Sequence, residues 1–228
     1  LSFGRALRQA ERILVLSEAG VGEVAQLDPS LRERTGVVHN PYVHNGMVAR
    51  AIERQPSSPP VILSVGRLHQ QKNQALLLRA VARLKDRNWR LRLCGTGPDE
   101  ATLRTLSQEL SIADRVEFAG FIADPVPEYL AATVLAQSSR WEGLPATVLE
   151  AIACGCPVVA TASSPALVDL LREVGGREPV VVEDEVGFAA ALAEALEGQL
   201  PRVPPEAALP YGMEASLDEH AALFRQLL

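Results

Sequence analysis

The sequence predicts an α/β fold built on a Rossmann-like, doubly wound parallel sheet. From residue 61 onward, short apolar runs of strand length alternate with longer segments of helical periodicity. This alternation is typical of parallel sheets that carry helices on both faces. Glycine and proline residues stand between the runs, where the chain must turn. With 228 residues and 47% hydrophobic content, the chain can bury a sizeable core in one or two domains.

Six short apolar runs are predicted to be strands, and helical patterns fill the gaps between them. The predicted strands are 61–65, 91–94, 116–118, 134–136, 158–160 and 180–182. The predicted helices are about 73–85, 100–110, 126–132, 146–153, 165–172, 186–197 and 214–227. Residues 1–45 indicate helix, short strand, helix and strand, and the proline-rich stretch 199–211 is expected to be irregular. Sheets of this kind bind ligands beyond the carboxyl ends of their strands, so the side chains there are the site candidates.

Composition and charge argue against several classes of protein. The formal net charge is −6 and no long basic run occurs, which argues against nucleic acid as a partner. No apolar stretch approaches the roughly 20 residues needed to span a bilayer, and no signal-peptide pattern is present. We therefore expect a cytoplasmic protein without a transmembrane segment.

Neither the cysteines nor the histidines indicate a metal site. Cys94, Cys154 and Cys156 lie in apolar surroundings and are interpreted as buried, reduced thiols rather than as a metal or disulfide site. The four histidines show no ligand spacing and are interpreted as surface or linker residues. They are His39, His44, His69 and His220.

The most informative stretch carries two glutamates, Glu142 and Glu150, eight residues apart. Between them lie a Gly-x-Pro turn and the start of an apolar helix. Pro145 suits the first helical position, and Gly155 suits the residue just past the helix end. The free N–H groups of the first helical turn form a ready anion site. A carboxylate at each end of such a turn suits a ligand with both phosphates and hydroxyls, such as a sugar nucleotide.

Two basic residues, Arg67 and Lys72, flank the turn between the strand at 61–65 and the helix that follows it. Lys72 lies near the helix N-terminus, where a cation meets the unfavourable end of the dipole, and a bound diphosphate would remove that conflict. Arginine can hold phosphate oxygens bidentately, whereas lysine acts as a point charge. The alternative is that both are ordinary surface residues of a loop. No metal is implied, because no Asp-x-Asp pair occurs and the basic side chains can neutralise the phosphate charge.

The turn after the strand at 91–94 contains Gly95-x-Gly97, which matches the beginning of a dinucleotide-binding fingerprint. Glu100 stands where the third glycine of that fingerprint is required, so NAD binding is disfavoured and no cofactor is predicted. A tight turn near a nucleotide base is the better interpretation. Phe121, after the strand at 116–118, either lies beside the base or belongs to the core.

The order and spacing of these motifs resemble those of the retaining GT-B glycosyltransferases (glycosyl transferases group 1). Glu142 and Glu150 resemble the Glu-x7-Glu motif of that family, and segments 61–73, 91–98 and 116–121 resemble its phosphate loop and its next two strands with their turns. The resemblance covers roughly residues 10–195. It implies that most of the acceptor-binding domain is missing from this chain. The implied divisions are 1–45, a remnant of the N-terminal acceptor domain; 46–60, a linker; 61–200, the GT-B donor-binding domain; and 201–228, a C-terminal tail and helix.

The resemblance also implies roles for the motif residues. Arg67 and Lys72 would neutralise charge on the departing nucleoside diphosphate, whereas Glu142 would contact the donor sugar near the reacting carbon. Glu150 would bind the ribose diol. The alternatives are a helix-entry acid for Glu142 and a solvent-facing helix position for Glu150. The predicted catalytic residues are Glu142, Arg67 and Lys72, and the predicted donor-binding residues are Gly66, Arg67, Lys72, Gly95, Phe121, Glu142, Gly143, Leu144, Thr147 and Glu150.

Three segments depart from the pattern of the family. Thr133 stands where aspartate is usual, and a Ser-Ser pair at 138–139 replaces Pro-Ser. A Gly-Gly loop that normally approaches the donor is replaced by the segment 162–165, so the identity and affinity of the donor stay open. The hydroxyls of Ser163 and Ser164 would substitute for backbone contacts there.

The implied activity is transfer of a hexosyl group from a nucleoside diphosphate sugar to a glycan or lipid-linked acceptor, with retention of configuration. A UDP-sugar is favoured, and GDP-mannose comes next. The missing domain would hold the acceptor and would make any peripheral contact with the inner membrane. The alternatives are another GT-B enzyme, such as an epimerase or a phosphorylase, and a non-catalytic sugar-nucleotide-binding module.

Overall fold

A computed structural model describes residues 3–227 of the chain, and its first part contains a small parallel pair of strands. The elements are α1 (Phe3–Gln9), β1 (Ile13–Val15), α2 (Glu18–Leu27), β2 (Thr35–Val37) and α3 (Asn45–Arg50), with short 3-10 turns at Pro29–Arg34 and Ala51–Glu53. β1 pairs with β2 in parallel. The predicted order of helix, strand, helix and strand is confirmed, but helical turns occupy 45–53, much of the range predicted as a linker.

Within the described residues, the main sheet has five parallel strands. They are β3 (Val61–Val65), β4 (Arg90–Cys94), β5 (Val116–Gly120), β6 (Val134–Gln137) and β7 (Val158–Ala160). Their order across the sheet is β5-β4-β3-β6-β7. The chain therefore moves outward from β3 to β5 and then returns to the other side of β3. At such a switch point the loops after the two neighbouring strands diverge and leave a crevice for a ligand.

Helices cover both faces of this sheet, so the doubly wound prediction is confirmed. These helices are α4 (Gln74–Ala82), α5 (Glu100–Glu109), α6 (Val126–Ala131), α7 (Ala146–Ala153), α8 (Pro165–Glu173) and α9 (Glu185–Leu196), and a last helix, α10 (Met213–Leu227), lies apart from the sheet. Side chains alternate along each strand. Ile62 and Leu91 therefore belong to the core beneath α4, α5 and α9, whereas Leu63 and Leu135 belong to the core beneath α6, α7 and α8.

The strand predicted at 180–182 is wrong. Val180 forms only an isolated bridge with Thr161, and Val181 is 70% exposed. The chain turns away because Asp184 caps α9 almost at once, and its side chain accepts a hydrogen bond from the main-chain N–H of Gly187 at 2.9 Å. An apolar run that is followed so closely by a helix cap has no room to extend along the sheet edge.

The last helix, α10, is tied to the beginning of the chain. The main-chain N–H of His39 donates to Glu219 at 2.7 Å, and the Ser216 hydroxyl donates to the His39 carbonyl at 2.6 Å. His39 lies between β2 and α3 and is half-buried, so it is a linker residue rather than a freely exposed one. The stretch at 199–211 begins without regular structure but ends in a 3-10 helix, Pro205–Tyr211. Among the residues that the structure describes, no helix combines the length and the apolar content that a bilayer crossing requires.

All three cysteines are free and buried, as predicted. Burial is the largest cause of their altered acidity. It raises the pKa of Cys94 and of Cys156 to about 11, and the pKa of Cys154 to about 12. The thiolate is the reactive form of cysteine, so these thiols are chemically protected at neutral pH.

We expect iodoacetamide to modify the native protein at neutral pH at least ~100-fold more slowly than the chain unfolded in guanidinium, because burial limits both thiolate formation and access. Mass spectrometry of the alkylated protein over time measures the two rates. The unfolded chain is the control and should take up three labels. Rapid native labelling of any of Cys94, Cys154 or Cys156 would contradict the burial that the structure shows.

Candidate functional site

The carboxyl ends of β3 and β6 bring two predicted motifs together at the switch point. Lys72 lies in the loop between β3 and α4, and Glu142 lies in the loop between β6 and α7. The Lys72 Nζ atom is 2.5 Å from the Glu142 Oε1 atom. This ion pair therefore spans the crevice in which a sheet of this topology binds its ligand.

One oxygen of the Glu142 carboxylate is fully engaged. Oε1 accepts hydrogen bonds from Lys72 Nζ, from the Ser139 hydroxyl at 2.7 Å and from the Gln137 side-chain amide at 3.0 Å. The Glu142 side chain is only 8% exposed, and a carboxylate so far from water needs such partners. Its main-chain N–H donates to the Ser163 carbonyl at 3.0 Å, which ties the loop to the chain beyond β7. These contacts favour a site residue over the alternative of a simple helix-entry acid.

α4 begins one residue later than predicted, with Asn73 as its capping residue. α7 begins where predicted, but Pro145 is its capping residue and not its first helical residue. Lys72 therefore lies outside α4, and Glu142 already neutralises its charge without a bound diphosphate. The Lys72 side chain also lies over Gly66, where an added Cβ atom would come within 3.5 Å of Lys72 Cε. The conflict with the helix dipole is thus smaller than the sequence suggested.

Arg67 is exposed in the same loop and forms no ion pair with any residue in the described part of the chain. Its main-chain carbonyl accepts a hydrogen bond from the buried Gln74 side chain at 3.0 Å. The loop is therefore anchored from beneath while the guanidinium group stays available to an anion from solution.

Glu150 lies in α7 and is half-buried, so the alternative of a solvent-facing position is wrong. The hydroxyl of Tyr129, a fully buried residue of α6, donates to Glu150 Oε2 at 2.7 Å. Burial raises the pKa of Glu150, and the hydrogen bond from Tyr129 opposes this effect in part. Sequence reasoning missed Tyr129, because nothing in an amphipathic helix pattern indicates which distant carboxylate a buried hydroxyl will meet.

The loop before α7 presents its backbone to the crevice. Among the described residues, the N–H groups of Gly143 and Leu144 have no hydrogen-bond acceptor. The Leu144 side chain is buried in the core, and the Gly143 carbonyl accepts a hydrogen bond from the Ser164 hydroxyl at 2.6 Å. The Thr147 hydroxyl, in the first turn of α7, donates to the Gln137 side-chain carbonyl at 3.4 Å.

The two serines of the loop after β7 differ in their surroundings. Ser164 caps α8, since its hydroxyl accepts from the main-chain N–H of Leu167 at 3.2 Å and donates to Gly143. Its hydroxyl is therefore engaged within the protein, and the expectation that it would replace a backbone contact to the donor stays a prediction that requires this hydroxyl to change partner. The Ser163 hydroxyl is buried and has no partner among the described residues.

Two predicted donor-binding residues at the neighbouring strands have different environments. Gly95 has φ of 138°, and an added Cβ atom would lie 2.0 Å from the Gly66 carbonyl oxygen, so this glycine allows the two loops to approach. Phe121 is 78% exposed, which makes its alternative assignment to the core wrong. It follows β5, two strands or roughly 10 Å from β3, so the structure does not bring it into contact with the ion pair.

Among the described residues, neither a cavity nor a cluster of metal-binding side chains is a better candidate site than the crevice between β3 and β6. A cavity of about 600 Å³ lies near the amino-terminal end of β7 and is lined by Arg54, Cys156 and Arg177, among others. It contains none of the predicted site residues. Within residues 3–227, no group of three or more His, Cys, Asp or Glu side chains could hold a metal ion.

We expect Gly95→Ala to destabilise the protein by on the order of 3 kcal/mol, because the new methyl group would overlap backbone rather than a flexible side chain. Denaturant unfolding measures the change. Gly22→Ala in α2 is the matched control, since nothing lies within 4 Å of its added Cβ atom. That variant should gain roughly 0.5–1 kcal/mol. Equal stability of the two variants would contradict the close approach.

We expect Glu150→Gln to raise the melting temperature at neutral pH, because burial raises the pKa of Glu150 and so makes its ionised form less stable in the folded state than in the unfolded state. A raised pKa in the folded state disfavours folding above the ordinary value of 4.5 and has no effect well below it. The advantage of glutamine should therefore vanish as the pH falls below that value. Glu23→Gln at an exposed position of α2 is the control. A pH-independent difference would show that charge is not the cause.

Comparison with known proteins gives a consistent family assignment. Residues 48–208 match the model of the protein family described as "Glycosyl transferases group 1". The putative colanic acid biosynthesis glycosyltransferase WcaL of Escherichia coli (strain K12) is 34% identical over 172 residues, which are 71% of this chain and 42% of that protein. The D-inositol 3-phosphate glycosyltransferase of Mycolicibacterium smegmatis is 31% identical over 232 residues, 95% of this chain and 50% of that protein.

A solved structure shows the same fold. Anabaena Alr3699/HepE in complex with UDP superposes with a TM-score of 0.79 at 20% identity, over 98% of this chain and 65% of that chain. The chain spans about half the length of the curated relatives it matches. Because the family match covers well over half of the chain and agrees with these relatives, the chain belongs to the glycosyl transferases group 1 family.

Proposed function

We propose that the protein carrying this chain is a retaining glycosyltransferase that binds a nucleoside diphosphate sugar in the crevice between β3 and β6. The Lys72–Glu142 ion pair carries the proposal, because it sets a cation for the diphosphate beside a carboxylate for the sugar. An ammonium group has three donors, so Lys72 can bind a phosphate oxygen and still contact Glu142. Arg67 adds a second, exposed cation in the same loop.

The surroundings of Glu142 support a role in orientation and charge stabilisation. A carboxylate oxygen that already accepts three hydrogen bonds, one of them from a lysine, is a poor nucleophile because its charge is stabilised. No described residue donates to the other oxygen, Oε2, which leaves it for the donor sugar. Lys72 and Arg67 would stabilise the charge that develops on the departing diphosphate, and this requires no metal ion.

The second glutamate has a similar arrangement. Tyr129 occupies Oε2 of Glu150, and Oε1 remains for the two hydroxyls of a ribose. The hydroxyls would stabilise this half-buried carboxylate by donating hydrogen bonds to it, because few water molecules can reach it. We favour a UDP-sugar as the donor, since the solved relatives of this fold include one in complex with UDP and glucose.

We place the acceptor, a glycan or a lipid-linked sugar, against a part of the protein outside this chain. The curated relatives include a putative colanic acid biosynthesis glycosyltransferase, which supports an acceptor of this class. Analysis of products with and without acceptor separates transfer from epimerisation, because an epimerase would convert the donor alone. NMR of the product anomer tests retention.

Calorimetric titration of the full-length protein with UDP, GDP and ADP tests the donor site. We expect one nucleotide to bind, and we expect Lys72→Ala and Glu150→Ala each to weaken it by roughly 10- to 100-fold, as for the loss of a charge-assisted hydrogen bond. Lys85→Ala is the matched control, since Lys85 is the other lysine of the chain and is exposed. A folded protein that binds none of the three, or whose binding ignores both substitutions, would contradict the proposed site.

A further inference from the structure

β6 ends in a polar residue although the rest of the strand is apolar. Val134, Leu135 and Ala136 are fully buried, and Gln137 after them is only 3% exposed. Gln137 pairs with Ala160 of β7, so its backbone lies within the sheet. A primary amide in such a place costs free energy unless both of its ends form hydrogen bonds. The contacts of this amide therefore indicate why it is tolerated.

The Gln137 amide is engaged at both ends by residues of the candidate site. Its nitrogen donates to Glu142 Oε1 at 3.0 Å and to the Ser139 hydroxyl at 3.1 Å. Its oxygen accepts from the Thr147 hydroxyl in the first turn of α7 at 3.4 Å. The side chain thus connects the carboxylate of the Glu142 loop to the start of the helix behind it.

Ser139 belongs to the same network and is itself held in place. It is completely buried, and its carbonyl accepts a hydrogen bond from the Thr161 hydroxyl at 2.5 Å, beyond the end of β7. Its own hydroxyl donates to Glu142 Oε1. Two neutral donors, one at the end of β6 and one in the loop that follows it, therefore approach the same carboxylate oxygen that Lys72 contacts.

We propose that Gln137 is a positioning residue of the reaction, which keeps Glu142 oriented when Lys72 divides its hydrogen bonds between Glu142 and the diphosphate of the donor. This inference rests on the proposed function. Lysine is mobile on a long stem, and a phosphate competes with Glu142 for its charge. The Gln137 amide and the Ser139 hydroxyl are neutral, so a phosphate does not compete for their charge, and their hydrogen bonds would keep Oε1 in place and leave Oε2 for the sugar.

The chemistry of the amide suits this task. A neutral donor orients the carboxylate without adding a second positive charge that would compete with Lys72 for the phosphate. A carboxylate at position 137 would repel Glu142, and an apolar side chain would leave its orientation to Lys72 and Ser139. Gln137 does not itself touch the donor in this arrangement, and it acts through Glu142.

Gln137→Met in the full-length protein tests the inference, because methionine keeps the length and the unbranched shape of glutamine but loses its hydrogen bonds. Turnover is measured with the donor that the wild-type protein uses, chosen from UDP-glucose, UDP-galactose, UDP-N-acetylglucosamine and GDP-mannose. The affinity for the nucleoside diphosphate is measured with UDP or GDP. We expect kcat to fall roughly tenfold or more. The Kd of the nucleoside diphosphate should stay within about twofold, because it lacks the sugar that Glu142 contacts.

Val134→Ala is the matched control for lost stability, since it removes buried volume from the same strand without reaching Glu142. It should leave both kcat and the nucleotide Kd near their wild-type values. If Gln137→Met does not fold, Ser139→Ala removes the other neutral donor with little change in volume and should lower kcat alone by roughly threefold.

Unchanged kcat in a folded Gln137→Met variant would overturn the inference, and so would a parallel loss of kcat and nucleotide affinity, which indicates a merely structural role. A wild-type protein that binds or uses none of these nucleotides would overturn the proposed function itself. That result is obtained before any variant is compared, so the two failures are distinguishable.

Discussion

The arrangement of the site depends on the reversal of strand order between β3 and β6. This reversal makes neighbours of two loops that are about seventy positions apart in the chain, and it sets Lys72 against Glu142. The Glu142 carboxylate, only 8% exposed, would be costly without Lys72, because removing one partner of a buried pair leaves the other uncompensated. The sheet topology and the ion pair therefore support each other, since the topology creates the crevice and the pair stabilises the loops that line it.

A common arrangement governs both glutamates of the motif. In each glutamate, groups of the protein donate hydrogen bonds to one carboxylate oxygen, and the other oxygen has no donor among the described residues. The oxygen that is held is Oε1 in Glu142. In Glu150 it is Oε2, which accepts from the Tyr129 hydroxyl. Such a carboxylate is oriented before a ligand arrives, which lowers the entropic cost of binding. The half-buried position of Glu150 opposes its ionisation, so stability and binding make opposite demands on this residue.

Close backbone packing supports the crevice from beneath. Besides the approach of Gly95 to Gly66, an added Cβ atom at Gly97 would lie 2.1 Å from the Leu68 carbonyl oxygen. The same carbonyl accepts a hydrogen bond from the main-chain N–H of Asp99 at 3.1 Å. The glycines after β4 are therefore required for the contact between two strand-end loops, which explains a Gly-x-Gly pattern without a dinucleotide.

For the described residues, the sequence by itself determined the five strands of the main sheet, the six helices α4–α9 around it and the last helix α10, and it supplied the four charged residues of the motif. Hydrophobic periodicity, Gly and Pro punctuation and the resemblance of short motifs are local properties, so they can be read without a structure. Only the tertiary structure decided that residues 180–182 leave the sheet, that Ser164 caps a helix, and that Gln137 and Tyr129 hold the two glutamates. These outcomes depend on which distant groups meet across strands and helices, and a buried polar side chain shows its partner only once the chain has folded around it.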